Sequence, residues 1–408
     1  QIFREGWRYM RDFLYVDNVH GAPWDKVYEW YSPWVDHVRH RTDLNYLVDI
    51  LSGEVSIGHS YVSGGDQPDL ERVPVGLLGC DFKVEKDRYQ IDRIYSGEQW
   101  NPDLYAPLAL PGLNVSEGDY IIAIDGTELT GDMKPYALLE QTAGREIYLT
   151  ISSSAVGKSP REIVVKPVTS ENGLRTFDWI EANRRKVDSL SGGQLAYVYV
   201  PNTSSRGFEY FNRYYFSQQD KKGVIIDERN NGGGFAADYM IDIMDRELFG
   251  YFNSKTESNR PWTTPMAGIW GPKVMLINER AGSGGDLLPY MFHAKELGPL
   301  IGTRTWGGLV GTWDTPRFID GGRMVAPRGG FFDVDGKWAV EGEGVAPDIE
   351  VIQEPSEVIK GRDPQLERGI TEALRLLETQ RFEMSEEPAA PVRWKRPEGF
   401  DPNAPQKE

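Results

Sequence analysis

The sequence has very little cysteine: Cys80 is the one cysteine among 408 residues. An internal disulfide is therefore excluded, and burial and hydrogen bonding have to stabilise the fold. We interpret Cys80 as a small buried residue rather than a nucleophile. A chain without disulfides suits a reducing compartment, so we expect a cytoplasmic protein. Export stays open, because a chain that begins at Gln1 can be the product of processing.

Basic residues are also scarce beside acidic ones. The chain has 45 Lys and Arg against 62 Asp and Glu, which gives a formal net charge of -17. This charge opposes a broad electrostatic attraction to nucleic acid or to an anionic membrane. The sequence lacks an apolar run long enough to span a bilayer and a stretch resembling a cleavable secretion signal. We therefore predict neither a nucleic-acid partner nor a membrane partner.

The length of the chain favours two or three domains. Residues 1–70 predict an N-terminal helical segment of the catalytic core. The helical pattern is clearest at 42–51, where apolar residues recur at helical spacing and Thr42 is the predicted N-cap. The segment ends in a polar, glycine-bearing loop that contains His59.

In residues 71–155 the sequence pattern changes to one typical of short strands, and this region resembles a PDZ domain. Asp125-Gly126 is a hairpin signal after a strand-like run. Gly76-Leu-Leu-Gly79 lies where a PDZ domain has its carboxylate-binding loop. The resemblance implies binding of peptide C-termini by strand addition, or a purely architectural role. The predicted elements are strands at 89–95, 119–124 and 146–151 and a helical turn at 135–140.

Residues 156–378 alternate between strands and helices, which predicts an α/β core with parallel strands and crossover helices. Predicted strands lie at 195–200 and 223–227, and a further strand leads to Ser283. Residues 379–408 are rich in Pro and Glu, and we expect a disordered or surface-draped tail.

Two glycine-rich junctions follow predicted strands, at 226–235 and at 278–290. In an open parallel sheet, such junctions meet at the carboxyl edge, where ligands bind. Ser283 in the second junction is a candidate nucleophile, with the N–H groups of Gly284 and of Gly233, within the 232–234 run, as oxyanion donors. Alternatively, both junctions are only tight turns, or they bind a phosphate. This alternative stays open because Ala281-Gly-Ser-Gly-Gly285 differs from the G-x-S-x-G motif of a nucleophile elbow.

A serine nucleophile needs a base, and His59 is the leading candidate because it lies in a glycine-flanked polar loop. A structural role for His59 is the alternative. The chain has five histidines, and the other four are His20, His37, His40 and His293. A metal pair of His37 and His40 lacks an evident third ligand, so we predict neither a metal nor a cofactor.

A Ser-Lys dyad competes with a histidine base. The chain has no lysine between Lys295 and Lys337. The C-terminal processing peptidases, which this sequence otherwise resembles, carry their lysine in that interval after the serine. A Ser-Lys mechanism is therefore disfavoured.

Several motifs in one order resemble the C-terminal half of the tricorn protease family, from about residue 40 to 355. They are Gly-Glu-x4-His-Ser-Tyr at 53–61, the PDZ-like insert, Arg-Asn-Asn-Gly-Gly-Gly at 229–234, Ala-Gly-Ser-Gly-Gly-Asp-Leu-Leu-Pro-Tyr at 281–290, Gly-Thr-Arg-Thr-Trp-Gly-Gly at 302–308 and Val-Glu-Gly-Glu-Gly-Val-Ala-Pro-Asp at 340–348. The resemblance implies a crotonase-like or ClpP-like α/β peptidase core with a parallel sheet, an N-terminal helical segment and an inserted PDZ-like β domain.

By this resemblance, Ser283 is the nucleophile, His59 the general base and Glu341 the acidic member of the catalytic chain. Glu343 is the alternative acid, since residues two apart share one side of an extended strand. The family has a serine directly before the histidine, whereas this chain has Gly58. Ser60 is therefore an auxiliary candidate.

A second departure concerns cleavage specificity. Gly284 stands where the resemblance implies an aspartate that attracts basic residues, so we do not predict a basic preference at the cleavage site. Asp286 and Asp227 are the neighbouring acidic candidates.

The sequence thus predicts a serine peptidase, an endopeptidase or oligopeptidase, that hydrolyses short or unfolded peptides through Ser283, His59 and Glu341. The family resemblance also implies a homo-oligomer, a hexamer. Two alternatives stay open: a catalytically impaired PDZ-bearing peptide-binding scaffold, suggested by Gly58, and an enzyme that hydrolyses small esters or amides.

Overall fold

The computed structural model describes residues 1–255, 261–313, 315–396, 398, 399 and 401. The N-terminal segment contains α1 (Ile2–Phe13), α2 (Trp24–Tyr31), α3 (Arg41–Gly53) and β1 (Tyr61–Ser63). Helix α3 agrees with the predicted helix, but its N-cap is His40 rather than Thr42. The imidazole of His40 accepts the Thr42 N–H, and the Asp43 carboxylate accepts the His40 N–H at 2.9 Å. These two bonds move the start of the helix towards the N-terminus.

The second domain is an antiparallel sheet of six strands, with the order β2-β3-β4-β6-β7 and β5 paired to β4. Asp125 and Gly126, both with positive φ, form the two-residue turn between β4 and β5, as the sequence predicted. Strand β7 lies beyond the predicted boundary at residue 155, yet it pairs with β6, so the sheet continues through Val165. The elements are β2 (Cys80–Glu85), β3 (Arg88–Ile94), β4 (Tyr120–Ile124), β5 (Thr127–Glu128), α4 (Pro135–Leu138), β6 (Ile147–Ser152) and β7 (Arg161–Val165).

The third domain is an α/β core around a parallel five-stranded sheet with the order β15-β13-β12-β9-β8. All residues of β8 and β9 are buried, as expected for a parallel sheet that is covered on both faces. The elements are α5 (Asn172–Leu190), β8 (Leu195–Tyr199), α6 (Ser205–Phe216), β9 (Gly223–Asp227), α7 (Ala237–Met244), β10 (Gly250–Phe252), β11 (Trp262–Thr264), β12 (Lys273–Ile277), α8 (Gly284–Ala294), β13 (Leu300–Gly302), β14 (Arg323–Val325), β15 (Ile349–Glu350), α9 (Pro355–Val358) and α10 (Pro364–Leu377).

Three neighbouring strands, β8, β9 and β12, end at the same edge of this sheet because they run parallel. The loops that follow them begin at residues 200, 228 and 278. The predicted meeting of the two glycine junctions is therefore confirmed, and a third loop, after β8, joins them.

The N-terminal segment packs against a distant part of the core. Met10 and Leu51 share an apolar cluster with Phe318 and Met324. Strand β1 pairs antiparallel with β14, so the chain just after His59 is fixed to the core by backbone hydrogen bonds. Arg41 and Asp320 form an ion pair between the same two regions.

Described residues after α10 form neither helices nor strands. Phe382 lies against Trp270, with ring centroids 6.4 Å apart, and the Asn253 amide donates to Glu387. The described part of this predicted tail therefore contacts the surface of the core. In the part of the chain that the structure describes, we find no helix both long and apolar enough to cross a membrane.

Replacing Asp320 with asparagine should lower the free energy of unfolding at neutral pH by about 2 kcal/mol, because a charge-assisted bond to Arg41 is lost. The Arg41 hydrogen bond holds the pKa of Asp320 far below its ordinary value. The stabilisation is therefore present above the unfolded pKa of about 3.9 and disappears as the pH falls. Urea unfolding of both proteins at pH 7 and pH 3 measures this. Asp92→Asn, which breaks an exposed ion pair with Lys83, is the control. Equal losses in both variants would contradict the prediction.

Candidate active site

Ser283 lies at a strained turn between β12 and α8. It is the N-cap of α8, with φ 58° and ψ -117°, a conformation that a residue with a side chain seldom adopts. Its N–H donates to the Gly308 carbonyl at 3.1 Å and to the Asp286 carboxylate at 2.8 Å. The surrounding loops thus fix the turn that presents the serine at the start of a helix.

The glycines around Ser283 are required by close approach. A Cβ on Gly282 would lie 2.6 Å from the indole ring of Trp306. A Cβ on Gly284 would collide with the Thr203 hydroxyl and the Gly234 carbonyl oxygen. The aspartate that the resemblance implies at position 284 therefore has no space in this structure.

Asp286 joins the serine turn to the loop at 305–308. Its side chain is completely buried. Besides the bond from Ser283, the carboxylate accepts a hydrogen bond from the Thr305 hydroxyl at 2.5 Å. It also accepts the N–H groups of Gly307 at 2.8 Å and Gly308 at 3.1 Å. Burial raises the pKa of Asp286, and these hydrogen bonds oppose the rise. Asp286 is therefore a positioning residue, since both its oxygens are engaged within the fold.

Asp227, the other acidic candidate for substrate binding, is also engaged. It is buried at the end of β9, where the Arg229 guanidinium donates to both carboxylate oxygens, at 2.8 and 2.6 Å. The Tyr197 hydroxyl donates to the same carboxylate at 2.8 Å. Asp227 is thus part of a buried ion pair and is closed to a basic substrate side chain.

Two backbone N–H groups near Ser283 are available as donors. The N–H groups of Gly284 and Gly234 donate to no residue that the structure describes, and the Gly234 nitrogen is 2.8 Å from where a Gly284 Cβ would lie. Gly233 lies against Ser283, because a Cβ there would be 3.0 Å from the Ser283 Oγ. The N–H of Gly233, however, donates to the Asn231 Oδ1 at 2.9 Å in a turn typical of asparagine. Within the predicted run 232–234, where we named Gly233, the N–H without a partner among the described residues is therefore that of Gly234.

A buried acid lies beneath the glycine run. Glu228 is fully buried, and its Oε2 accepts the Asn231 side-chain amide at 3.2 Å. Burial, and then the charges of Asp286 and Asp227, raise the pKa of Glu228 well above its ordinary value, so we expect it to be neutral. Glu228 and Asn231 were not predicted, although both lie in the polar junction that the sequence indicated.

His59 is the histidine that the fold brings to the serine turn. The imidazole is 8% exposed, and its ring packs edge-on against Trp306, at 5.2 Å between centroids. Trp306 also lies against Gly282, so one indole contacts both loops. Burial lowers the pKa of His59, and the charges of Glu341 and Asp286 oppose this. The Nδ1 atom and the Ser60 hydroxyl are buried and have no hydrogen-bond partner among the described residues.

The other four histidines have different positions and contacts. His20 contacts the Tyr15 hydroxyl and the Val55 carbonyl, and His40 caps α3. His37 ends a short turn of helix, and His293 is exposed in the last turn of α8 beside Asp348.

Glu341 lies next to the His59 loop. Its Oε1 accepts the Gly58 N–H at 3.2 Å, and its Oε2 accepts the N–H groups of Leu309 at 2.6 Å and Val310 at 2.8 Å. A Cβ on Gly58 would be 3.4 Å from Glu341 Oε1, so the position of the implied serine faces this carboxylate. Glu343 has an exposed side chain.

Replacing Asp286 with alanine should lower the free energy of unfolding by about 3 kcal/mol, because buried donors around Ser283 lose their acceptor. Hydrogen exchange should accelerate at the amides of Gly307 and Gly308. Thermal unfolding and amide exchange measure these effects. The exposed acid Glu296→Ala is the control in the same domain. Unchanged exchange at 307 and 308 would show that the carboxylate does not hold the loop.

Comparison with known proteins identifies three domains along the chain. Residues 1–53 match the tricorn protease C1 domain, residues 76–170 match the tricorn protease PDZ domain, and residues 194–351 match peptidase family S41. The last match contains Ser283 and Glu341. The matches thus combine a domain similar to peptidase family S41 with a domain similar to the tricorn protease PDZ domain.

Relatives share the same arrangement. Tricorn protease homolog 1 of Streptomyces coelicolor is 35% identical over 93% of this chain and 35% of its own length. Tricorn protease of Thermoplasma volcanium is 33% identical over 94% of this chain and 37% of its own length. A crystal structure of the tricorn protease superposes with a TM-score of 0.87 at 30% identity, over 93% of this chain and 37% of that one. Over more than nine-tenths of its length this chain is similar to tricorn proteases, and it spans a little over a third of the length of these relatives.

Proposed function

We propose that this chain hydrolyses peptide bonds, with Ser283 as the nucleophile and His59 as the general base. The observation that carries this proposal is the serine turn itself. Ser283 lies at a helix start beside two N–H groups, those of Gly284 and Gly234, that donate to no described residue. Such donors stabilise the negative charge that develops on a carbonyl oxygen during acyl transfer.

The chemistry then follows in balanced steps. The Ser283 Oγ bonds to the carbonyl carbon of the substrate, and His59 takes the hydroxyl proton. The carbon–nitrogen bond breaks, and the imidazolium gives that proton to the leaving amine. Water then gives a proton to His59 and attacks the acyl carbon; the bond from this carbon to the Ser283 Oγ breaks, and the imidazolium returns the proton to that oxygen.

Glu341 is the acidic member in this proposal. A carboxylate near the imidazole stabilises the imidazolium that forms during the reaction. Because Glu341 also binds the backbone at Gly58 and Val310, it holds the His59 loop beside the loop at 309–310. With glycine at position 58, Glu341 acts on His59 through its charge and through this backbone contact.

The surface near the site favours peptides with apolar side chains. Tyr61 and Trp306 flank His59 and are 51% and 47% exposed, and Phe235, directly after the glycine run, is 86% exposed. The acidic side chains of Asp286 and Asp227 are closed to substrate, as described above. Short or unfolded peptides are therefore the proposed substrates. The hexamer remains a proposal from the family resemblance, and the cytoplasmic location remains a proposal from the lack of an internal disulfide.

A fluorophosphonate probe should label the wild-type protein and should not label Ser283→Ala, because the probe needs an activated serine oxygen. Mass spectrometry of the labelled peptide identifies the site. Ser153→Ala, in the PDZ domain, should label as the wild type does. A wild type that binds peptides yet resists the probe would instead support the impaired scaffold.

The pH dependence of kcat/KM should reflect His59. Since burial lowers the His59 pKa, kcat/KM should reach half of its plateau below the ordinary histidine pKa of about 6.5 and rise with pH as the base becomes neutral. Glu341→Gln removes a charge that raises this pKa, so the midpoint should move to lower pH while the plateau falls by roughly 10²-fold. Glu343→Gln is the matched control and should change neither. Equal effects of the two variants would remove Glu341 from the proposal.

A further inference from the structure

The carboxylate-binding loop of the PDZ domain already holds a carboxylate. The N–H of Gly79 donates to Oε1 of Glu171 at 2.7 Å. Glu171 is the N-cap residue of α5, the first helix of the peptidase core, and it is 8% exposed. In a PDZ domain, N–H groups of this loop capture the terminal carboxylate of a peptide. Here a side chain from the same chain has that position.

A cation completes the surroundings of Glu171. The Arg175 guanidinium donates to Oε2 of Glu171 through Nε at 3.0 Å and through Nη2 at 2.7 Å. The same guanidinium is held by the Tyr95 hydroxyl at 2.7 Å and by Asp81 at 2.8 Å, both from the PDZ domain. A carboxylate between a backbone N–H and a fixed guanidinium is the chemistry of a carboxylate-binding site.

The rest of the loop is closed by the chain itself. Leu77 and Val168 exchange two backbone hydrogen bonds, at 2.8 and 2.9 Å, so the segment after β7 lies across the loop. The Gly76 N–H donates to the Leu139 carbonyl at 2.8 Å. The groove between β2 and α4 reaches Val75 and Cys80, on either side of the loop. A peptide in that groove therefore meets a loop in which the N–H groups of Gly76, Leu77 and Gly79 are in use.

We propose that Glu171 is a built-in ligand of the PDZ domain, and that the Gly79 N–H and Arg175 form a carboxylate-binding site which Glu171 fills. The bound side chain ties the PDZ domain to the first helix of the core. It also prevents the loop from binding peptide C-termini, which the resemblance to PDZ domains implied, and leaves the architectural role. This inference is independent of the proposed catalysis, and its tests measure binding and stability instead of peptidase activity.

The test empties the site with Glu171→Ala in the full chain. This variant should have a lower melting temperature than the wild type, and acetate should restore it while acetamide, which has the same shape without the charge, should not. Glu171→Gln keeps an oxygen for the Gly79 N–H and should show no response to acetate because its side chain fills the site. Glu162→Ala, exposed on β7, is the control and should behave as the wild type.

The second measurement compares a fluorescent peptide with a free C-terminus and the same peptide with an amidated C-terminus, by anisotropy. The wild type should bind both equally, and Glu171→Ala should prefer the free acid by at least tenfold. A wild type that prefers the free acid, or an alanine variant that neither responds to acetate nor discriminates the peptides, would overturn the proposal. If Glu171→Ala folds poorly, refolding with acetate should recover it, and a failure to recover would count against the site.

Discussion

The Asp286 carboxylate is the group on which the geometry of the site depends. It lies in the first turn of α8 and accepts hydrogen bonds from Ser283 and from the loop at 305–308. That loop carries Trp306, which packs on His59, and continues to Leu309 and Val310, whose N–H groups hold Glu341. One buried acid therefore connects the serine turn to the contacts that orient the base and its carboxylate. The cost of burying this charge is offset by four donors rather than by a cation.

The elements and the strand-end location of the site could be predicted from the sequence. Strands β9 and β12 have the predicted bounds, because short apolar runs flanked by polar and glycine residues are typical of buried strands. The turn at Asp125 and Gly126 follows from residue type. The N-cap of α3 was predicted wrongly because His40 and Asp43 together form the capping hydrogen bonds, a role in which threonine is more common than histidine. The end of the PDZ sheet was missed because β7 depends on pairing with β6.

The finer geometry of the site could not be read from residue types. Which glycine N–H is free depends on the Asn231 side chain. Its Oδ1 accepts the Gly233 N–H, and the Gly234 N–H has no partner among the described residues. Glu341 and Glu343 look equivalent in an extended chain, and the hydrogen bonds of the fold separate them. The PDZ loop has the expected glycines, yet Glu171, from the neighbouring helix, determines what the loop can bind. The Asn231 turn is local, but the other two outcomes are set by long-range contacts that local sequence does not contain.

The pairing of β1 with β14 has a consequence for the timing of activity during synthesis. It joins the region beside His59 to residues 323–325, and Glu341 follows later still. A chain synthesised only through its first three-quarters contains His59 and Ser283 but lacks the partner strand that anchors the segment after His59. Closing so long a loop also carries an entropic cost that short-range contacts do not. The segment beside His59 is thus anchored to the core only after residues 323–325 have been synthesised.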